Sequence, residues 1–217
     1  MTKTEPIHIA VVLDRSGSMA GIASDIVGGF NQYLSEQQQR PGSARMTLVQ
    51  FDGQDPFEVL VGGRDLHDVA ELTSEAYQPR ANTPLLDAVG RMILRVDNDI
   101  AARARQGLPA EDQVMVIITD GLENASREFT RDQVFAMTEE RRQAGWAFVF
   151  LGADQDAYAE GTRVGVAGAN TAGWVKTKAG VAMMYDKLSR RTTDHRAKPA
   201  AMRKADADRF MEEEPGE

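Results

Sequence analysis

The chain has no cysteine among its 217 residues, which excludes disulfide bonds and metal sites built on thiolates. Aromatic residues make up only 6% of the total, and no apolar run approaches the roughly 20 residues of a membrane-spanning helix. Acidic residues outnumber basic ones, and the formal net charge of -8 disfavours binding to nucleic acids or anionic membranes. The first six residues contain no apolar stretch typical of a secretion signal, so a cytoplasmic location is expected.

Apolar residues instead follow an alternation of strand and helix patterns that covers most of the chain. Strands are predicted at 7–13, 45–51, 57–61, 114–118 and 146–151, and helices at 22–34, 84–105 and 130–142. The strands at 45–51 and 57–61 are joined by a short, turn-rich link, so we expect an antiparallel hairpin there. The predicted fold class is therefore α/β, with a mostly parallel central sheet, one antiparallel edge hairpin strand and helices on both faces.

The C-terminal part of the chain has weaker patterns. Beyond residue 152, they predict a short helix at 154–162, an edge strand at 164–169 and a closing helix at 176–190. Residues 1–191 are thus predicted to form one domain. Residues 192–217 are polar and offer few apolar side chains to offset the entropy of ordering, so we expect a disordered tail that folding does not need.

Acidic and hydroxyl side chains follow the first strand directly, in Asp14, Ser16 and Ser18. Gly17 permits a tight turn between the two serines, which allows both hydroxyls to point the same way. Such oxygens suit a hard cation, and open α/β sheets bind their ligands just beyond the carboxyl ends of the strands. The sequence therefore predicts a cation site at the end of the first strand.

Two further segments are predicted to reach the same edge of the sheet. Thr83 and Pro84 have the pattern of a helix N-cap followed by proline at the first helical position. Asp120 follows the predicted strand at 114–118. Because neighbouring parallel strands end at one edge, we expect these residues to lie beside Asp14.

Together these segments resemble the von Willebrand factor type A (vWA) domain, in which they build a metal-ion-dependent adhesion site (MIDAS). The matching motifs are Asp14-x-Ser16-x-Ser18, the Thr-Pro-Leu-Leu-Asp segment from Thr83 to Asp87, and Thr119-Asp120-Gly121, in the expected order. The resemblance implies a Rossmann-like vWA fold and a bound Mg²⁺ ion, with Mn²⁺ or Ca²⁺ as alternatives. It also implies that the hydroxyls of Ser16, Ser18 and Thr83 contact the cation. Asp14 and Asp120 are then expected to bind it directly or through water, with the sixth position open to an acidic side chain of a partner.

The charge of this ligand set agrees with that expectation. Two carboxylates and three neutral hydroxyls cancel the charge of Mg²⁺ and leave it able to gain from one more anionic ligand. Asp87 lies one helical turn beyond Thr83. It is predicted either to hydrogen-bond the metal ligands or to be an ordinary carboxylate on the helix surface.

Two functions are compatible with these residues. The favoured one is a non-catalytic, monomeric module that captures an acidic group of a partner protein through the metal, within an intracellular bacterial assembly or regulatory system. The alternative is a metal-dependent phosphatase or hydrolase with Asp14 at a strand-end active site. Haloacid-dehalogenase-like enzymes need a second aspartate two residues after the first, where this chain has Ser16. His8, His67 and His195 are dispersed and indicate no Ser-His-Asp arrangement.

Overall fold

The computed structural model describes residues 5–153 and 157–212. Within these ranges the strands are β1 Ile7–Asp14, β2 Ala44–Phe51, β3 Glu58–Asp65, β4 Asp112–Thr119, β5 Ala147–Ala153 and β6 Thr171–Trp174. The α-helices are α1 Ala23–Gln38, α2 Leu85–Arg105, α3 Arg131–Gln143, α4 Ala157–Arg163, α5 Lys178–Ala197 and α6 Ala200–Ala205. No helix in the described part of the chain is both long and apolar enough to cross a membrane.

The strands form one sheet in the order β3-β2-β1-β4-β5-β6. β2 and β3 pair antiparallel, and the other neighbouring strands pair parallel. The predicted fold class is therefore confirmed, including the antiparallel strand at one edge. The register pairs Leu13 of β1 with Ile118 of β4, so the last residues of these two central strands, Asp14 and Thr119, lie at the same edge of the sheet.

The core lies on both faces of the sheet because β1, β4 and most of β5 are buried along their length. In β1, alternate side chains such as Val11 and Leu13 pack with α1 and α5, whereas Val12 packs on the opposite face with α2. Because these strands are buried on both faces, their sequences are continuous apolar runs and do not alternate between polar and apolar residues. It also leaves the carboxyl ends of β1 and β4 as a place where polar groups can gather.

The predictions for the segment after β5 were partly wrong. Residues 164–169 do not form the edge strand, which is β6 instead. Val164 and Val166 are buried beside the α2 face, and Gly165 between them has a positive φ of 88° that interrupts extended structure. The predicted helix at 154–162 corresponds to α4, and residues 154–156 lie outside the described residues.

The prediction of a disordered tail is wrong for residues 192–212. The helix α5 continues through the predicted boundary at residue 191 to Ala197, and Phe210 and Met211 pack into the core beyond α6. Arg203 is fully buried, with its Nε 2.7 Å from Asp112 Oδ2. Arg196 donates to the main-chain oxygen of Gln37 at 2.6 Å. Some of the charges in this segment are buried guanidinium groups, and composition does not distinguish these from solvated charges. Residues 213–217 lie outside the described residues.

Candidate metal centre

Asp14 is the buried centre of the candidate site, at the carboxyl end of β1. Its Oδ1 accepts a hydrogen bond from the Ser16 amide at 2.6 Å, and its Oδ2 accepts one from the Thr119 hydroxyl at 2.6 Å. Burial raises the pKa of Asp14 to about 6, although the hydrogen bonds from Thr119 and Ser16 oppose this shift. The negative charge of Asp120 also raises the pKa of Asp14. A positive charge placed between the two carboxylates would therefore favour the ionised form of Asp14.

The two serine hydroxyls connect the ends of β1 and β4. Ser16 Oγ lies 3.0 Å from Ser18 Oγ, and Ser18 Oγ donates to Asp120 Oδ1 at 2.6 Å. The Gly17 amide donates to the main-chain oxygen of Ala81 at 3.0 Å, which fixes the turn between the serines. Oxygens of Asp14, Ser16, Ser18 and Asp120 therefore lie in one connected cluster, as the motif predicts.

Thr83 borders the same space from a third segment. A Cβ atom added at Gly121 would lie 3.1 Å from Thr83 Oγ1 and 3.7 Å from Ser18 Oγ, so glycine keeps the gap between these hydroxyls open. The Thr83 amide donates to Asn124 Oδ1 at 2.9 Å, which ties it to the loop after β4. Among the described residues, the Thr83 hydroxyl has no hydrogen-bond partner.

The helix cap predicted at Thr83 is not formed, because α2 begins at Leu85 and Pro84 occupies the N-cap position without a side-chain hydrogen bond. Instead, Glu123 from the loop accepts a hydrogen bond from the Leu86 amide at 3.0 Å. The Thr83 side chain is therefore not used to start the helix. Its hydroxyl remains available at the site.

Asp87 has a different role from both of its predicted ones. It is buried and accepts hydrogen bonds from the backbone amides of Arg127, Glu128 and Phe129 at 2.8–2.9 Å. This carboxylate holds the segment after β4 against the first turn of α2, and no contact with the ligand cluster is seen in the described residues. Asp87 therefore acts on the site by fixing the loop that follows Asp120.

Lys176 is a site residue that the sequence motifs do not reveal. It follows β6, and its Nζ lies 2.5 Å from Asp120 Oδ2 and 3.2 Å from the main-chain oxygen of Ser18. The contact with Asp120 is an ion pair. No local pattern could have found it, because 56 residues of chain separate the two partners and β6 itself was predicted elsewhere.

A second buried carboxylate, Asp52, lies directly after the neighbouring strand β2. Its Oδ2 is 2.6 Å from the Arg15 guanidinium and 3.0 Å from Arg80 Nε. Arg15 is itself buried and also pairs with Glu58 at 2.7 Å. Burial opposes ionisation of Asp52, but the amides of Gln54 and Asp55 and the two guanidiniums lower its pKa overall.

These residues fit a hard cation by the type and position of their donors. The described residues contain no group of three or more His, Cys, Asp or Glu side chains that could hold a metal, so a site here depends on hydroxyls as well as carboxylates. The gap beside Gly121 and the ammonium already placed on Asp120 indicate that a positive charge is accommodated at this position. Mg²⁺ is the common divalent ion that accepts such an oxygen set.

No protein-family model and no curated protein matches the sequence. Solved structures do match: the pilus adhesin SpaC from Lactobacillus rhamnosus GG has a TM-score of 0.67 at 12% identity, over 89% of this chain and 31% of that chain. A von Willebrand factor type A protein from Catenulispora acidiphila has a TM-score of 0.51 at 11% identity, over 87% of this chain and 43% of that chain. The SpRpn10 VWA domain has a TM-score of 0.53 at 11% identity, over 84% and 94%.

These structural similarities concern the fold. The chain spans less than half of the length of the SpaC and Catenulispora chains that it matches. At such identities the similarity establishes a vWA-like, Rossmann-like α/β fold for this protein.

Proposed function

We propose that this vWA-like domain is a non-catalytic binding module that holds one Mg²⁺ ion and uses it to capture a carboxylate of a partner protein. The observation that carries the proposal is the convergence of carboxylate and hydroxyl oxygens at the ends of β1 and β4. The residues that would hold the metal are Asp14, Ser16, Ser18, Thr83 and Asp120. Mn²⁺ and Ca²⁺ have the same preference for oxygen and are alternatives.

The charge at the site supports capture of an anionic group. When bound, the divalent ion supplies an electrophilic position for an incoming carboxylate. The chain contributes two carboxylates, Asp14 and Asp120, which cancel the charge of the ion without saturating it. The uncharged hydroxyls of Ser16, Ser18 and Thr83 add donors without adding negative charge, so a carboxylate from a partner remains favourable.

The burial of Asp14 supports the same proposal. A fully buried carboxylate normally has a cationic partner or a metal, since burying an isolated charge is costly. Asp14 accepts hydrogen bonds from Thr119 and Ser16, and no ion pair to it is found in the described residues. A divalent ion beside it would provide the missing positive charge.

Calorimetric titration with Mn²⁺ tests whether the metal binds. We expect the parent protein to bind one ion and Asp14→Asn to lose at least about tenfold in affinity. Asp25→Asn is the matched control, because it removes a carboxylate from the first turn of α1 without changing the ligand cluster. Equal affinity in the parent and Asp14→Asn would show that the proposed ligand set is wrong.

The capture step and the enzymatic alternative need separate measurements. Partner proteins retained from native lysate with Mg²⁺ are expected to be lost in EDTA and with Thr83→Ala. Hydrolysis of p-nitrophenyl phosphate by the Mg²⁺-loaded parent, abolished by Asp14→Asn, would instead establish a metal-dependent hydrolase. We also propose a monomeric, cytoplasmic protein of a bacterial assembly or regulatory system, and light scattering checks the monomer.

A further inference from the structure

The Lys176 ammonium occupies the edge of the proposed metal site. Its Nζ lies 2.5 Å from Asp120 Oδ2 and 3.2 Å from the main-chain oxygen of Ser18, so it contacts two of the segments that would hold the ion. The Asp120 side chain is completely buried, whereas that of Lys176 is 34% exposed. Lys176 therefore reaches from the surface to a buried carboxylate that the metal also needs.

The chain on both sides of Lys176 is anchored, which holds the ammonium near Asp120. Trp174 is buried, and its indole donates to the main-chain oxygen of Leu151 at 3.2 Å. On the other side, the Thr177 hydroxyl caps α5 by accepting a hydrogen bond from the Gly180 amide at 3.1 Å. With both flanking residues held, rotation of the long lysine side chain is enough to move the ammonium away from Asp120.

We propose that Lys176 is a tethered cation that closes the metal site, and that a divalent ion binds only after displacing its ammonium from Asp120. This inference rests on the proposed metal-binding function. The ammonium and a metal ion compete for the Asp120 carboxylate, because two positive charges that share one carboxylate repel each other.

The consequence is a lower apparent metal affinity. When only a fraction of the molecules have an open site, the apparent Kd is the intrinsic Kd divided by that fraction. A tethered ammonium keeps a high local concentration at Asp120, so it competes at any protein concentration. A divalent ion overcomes this competition because it attracts both Asp14 and Asp120 with twice the charge. The lysine thus sets the metal concentration at which the domain becomes able to capture its partner.

Mn²⁺ titration of Lys176→Met and Lys178→Met tests the competition. Both substitutions remove one positive charge, but Lys178 is exposed at the first position of α5 and makes no ion pair in the described residues. We expect Lys176→Met to bind Mn²⁺ about tenfold more tightly than the parent. Lys178→Met should stay within about twofold, which measures the general effect of the lost charge.

Thermal unfolding in EDTA provides a readout that does not depend on the metal. Lys176→Met should lower the melting temperature, because it leaves the buried Asp120 carboxylate without a cation. The same substitution should have little effect when Asp120 is already Asn, so the two substitutions should be strongly non-additive. Lys178→Met and Asp120→Asn should be additive.

The outcomes separate this inference from the proposed function. If the parent binds Mn²⁺ and both lysine variants bind it equally well, the metal site stands and the competition by Lys176 is overturned. If neither the parent nor either variant binds Mn²⁺, the proposed function fails and this inference fails with it. Binding by Lys176→Met alone would support the strongest form of the inference, in which the ammonium keeps the site closed.

Discussion

Asp14 and Asp52 follow or end neighbouring parallel strands, and both carboxylates are completely buried, yet their surroundings differ. Asp52 is held by the guanidiniums of Arg15 and Arg80 and by two backbone amides. Asp14 accepts one amide and one hydroxyl hydrogen bond and has no guanidinium partner in the described residues. Asp52 is thus part of a structural cluster of charges, whereas Asp14 remains short of positive charge.

The pKa values of the two residues express this difference. Burial raises the pKa of Asp14 to about 6, whereas hydrogen bonds and guanidiniums outweigh burial at Asp52 and lower its pKa. A permanent counter-ion makes Asp52 part of the scaffold. In the part of the chain that the structure describes, Asp14 has no such counter-ion, which leaves room for an exchangeable cation, and the ion pair of nearby Asp120 with Lys176 is consistent with that role.

The largest expected effect comes from a third buried carboxylate, Asp112, whose counter-charge is Arg203 from the C-terminal segment. Deleting residues 198–217 removes this guanidinium and the buried Phe210 and Met211. We expect the melting temperature to fall by about 10 °C or more, since breaking a buried pair costs about 3–5 kcal/mol and apolar burial adds to the loss. Differential scanning calorimetry measures the melting temperature. An unchanged melting temperature would show that folding does not need this segment.

Asp52→Ala should be the most damaging single change at the strand ends. Among the described residues it leaves the buried Arg15 guanidinium with Glu58 as its one carboxylate partner, and we expect a loss of about 3 kcal/mol in the free energy of unfolding. Urea denaturation in EDTA provides the measurement. Asp14→Ala under the same conditions should cost clearly less, and equal losses would contradict the distinction between the two carboxylates.

The pH dependence should have opposite signs at the two sites. The folded-state pKa of Asp14 is raised from 3.8 to about 6, so the native state retains its proton more tightly than the unfolded state. Its ionisation costs up to about 3 kcal/mol above pH 6, and this cost disappears as the pH falls from 6 to 4. The pKa of Asp52 is lowered, so its stabilisation is present above pH 3.8 and is lost as the pH falls below that value.

Urea denaturation of the metal-free protein between pH 3 and 7 checks these signs when the parent is compared with Asp14→Asn and Asp52→Asn. The free energy of unfolding of the parent should rise relative to that of Asp14→Asn as the pH falls from 6 to 4. If the difference in the free energy of unfolding between these two proteins does not change with pH in this range, burial does not raise the pKa of Asp14.

Thr83→Ala should have the smallest effect on stability. Its hydroxyl caps no helix and has no hydrogen-bond partner in the described residues, so we expect a loss below about 0.5 kcal/mol in EDTA. Thr130→Ala is the matched control, because Thr130 forms a capping box with Gln133 and should cost about 1 kcal/mol. Mn²⁺ affinity should respond in the opposite order, weakening in Thr83→Ala and remaining unchanged in Thr130→Ala.

The parts of the site that sequence could predict are those encoded by adjacent residues. Asp14, Ser16 and Ser18 are close in the chain, and Asp120 follows a continuous apolar strand, so parallel pairing places both groups at one edge. The structure confirms that these oxygens lie together, and their binding of a metal stays a prediction. The roles of Asp87 and Glu123 could not be predicted, because each depends on amide groups that the folded loop presents.

By itself, the sequence determined the order and type of the central elements, because two-sided burial demands apolar strands and one-sided burial demands amphipathic helices. Only the tertiary structure decided which charges are paired. Arg203 reaches Asp112 across 91 residues of chain, and Lys176 reaches Asp120 across 56. From composition alone such residues are expected to be solvated charges, but Arg203 and the side chain of Asp120 are buried. A charge in the interior is stable only beside its counter-ion, so burial selects a specific partner for each.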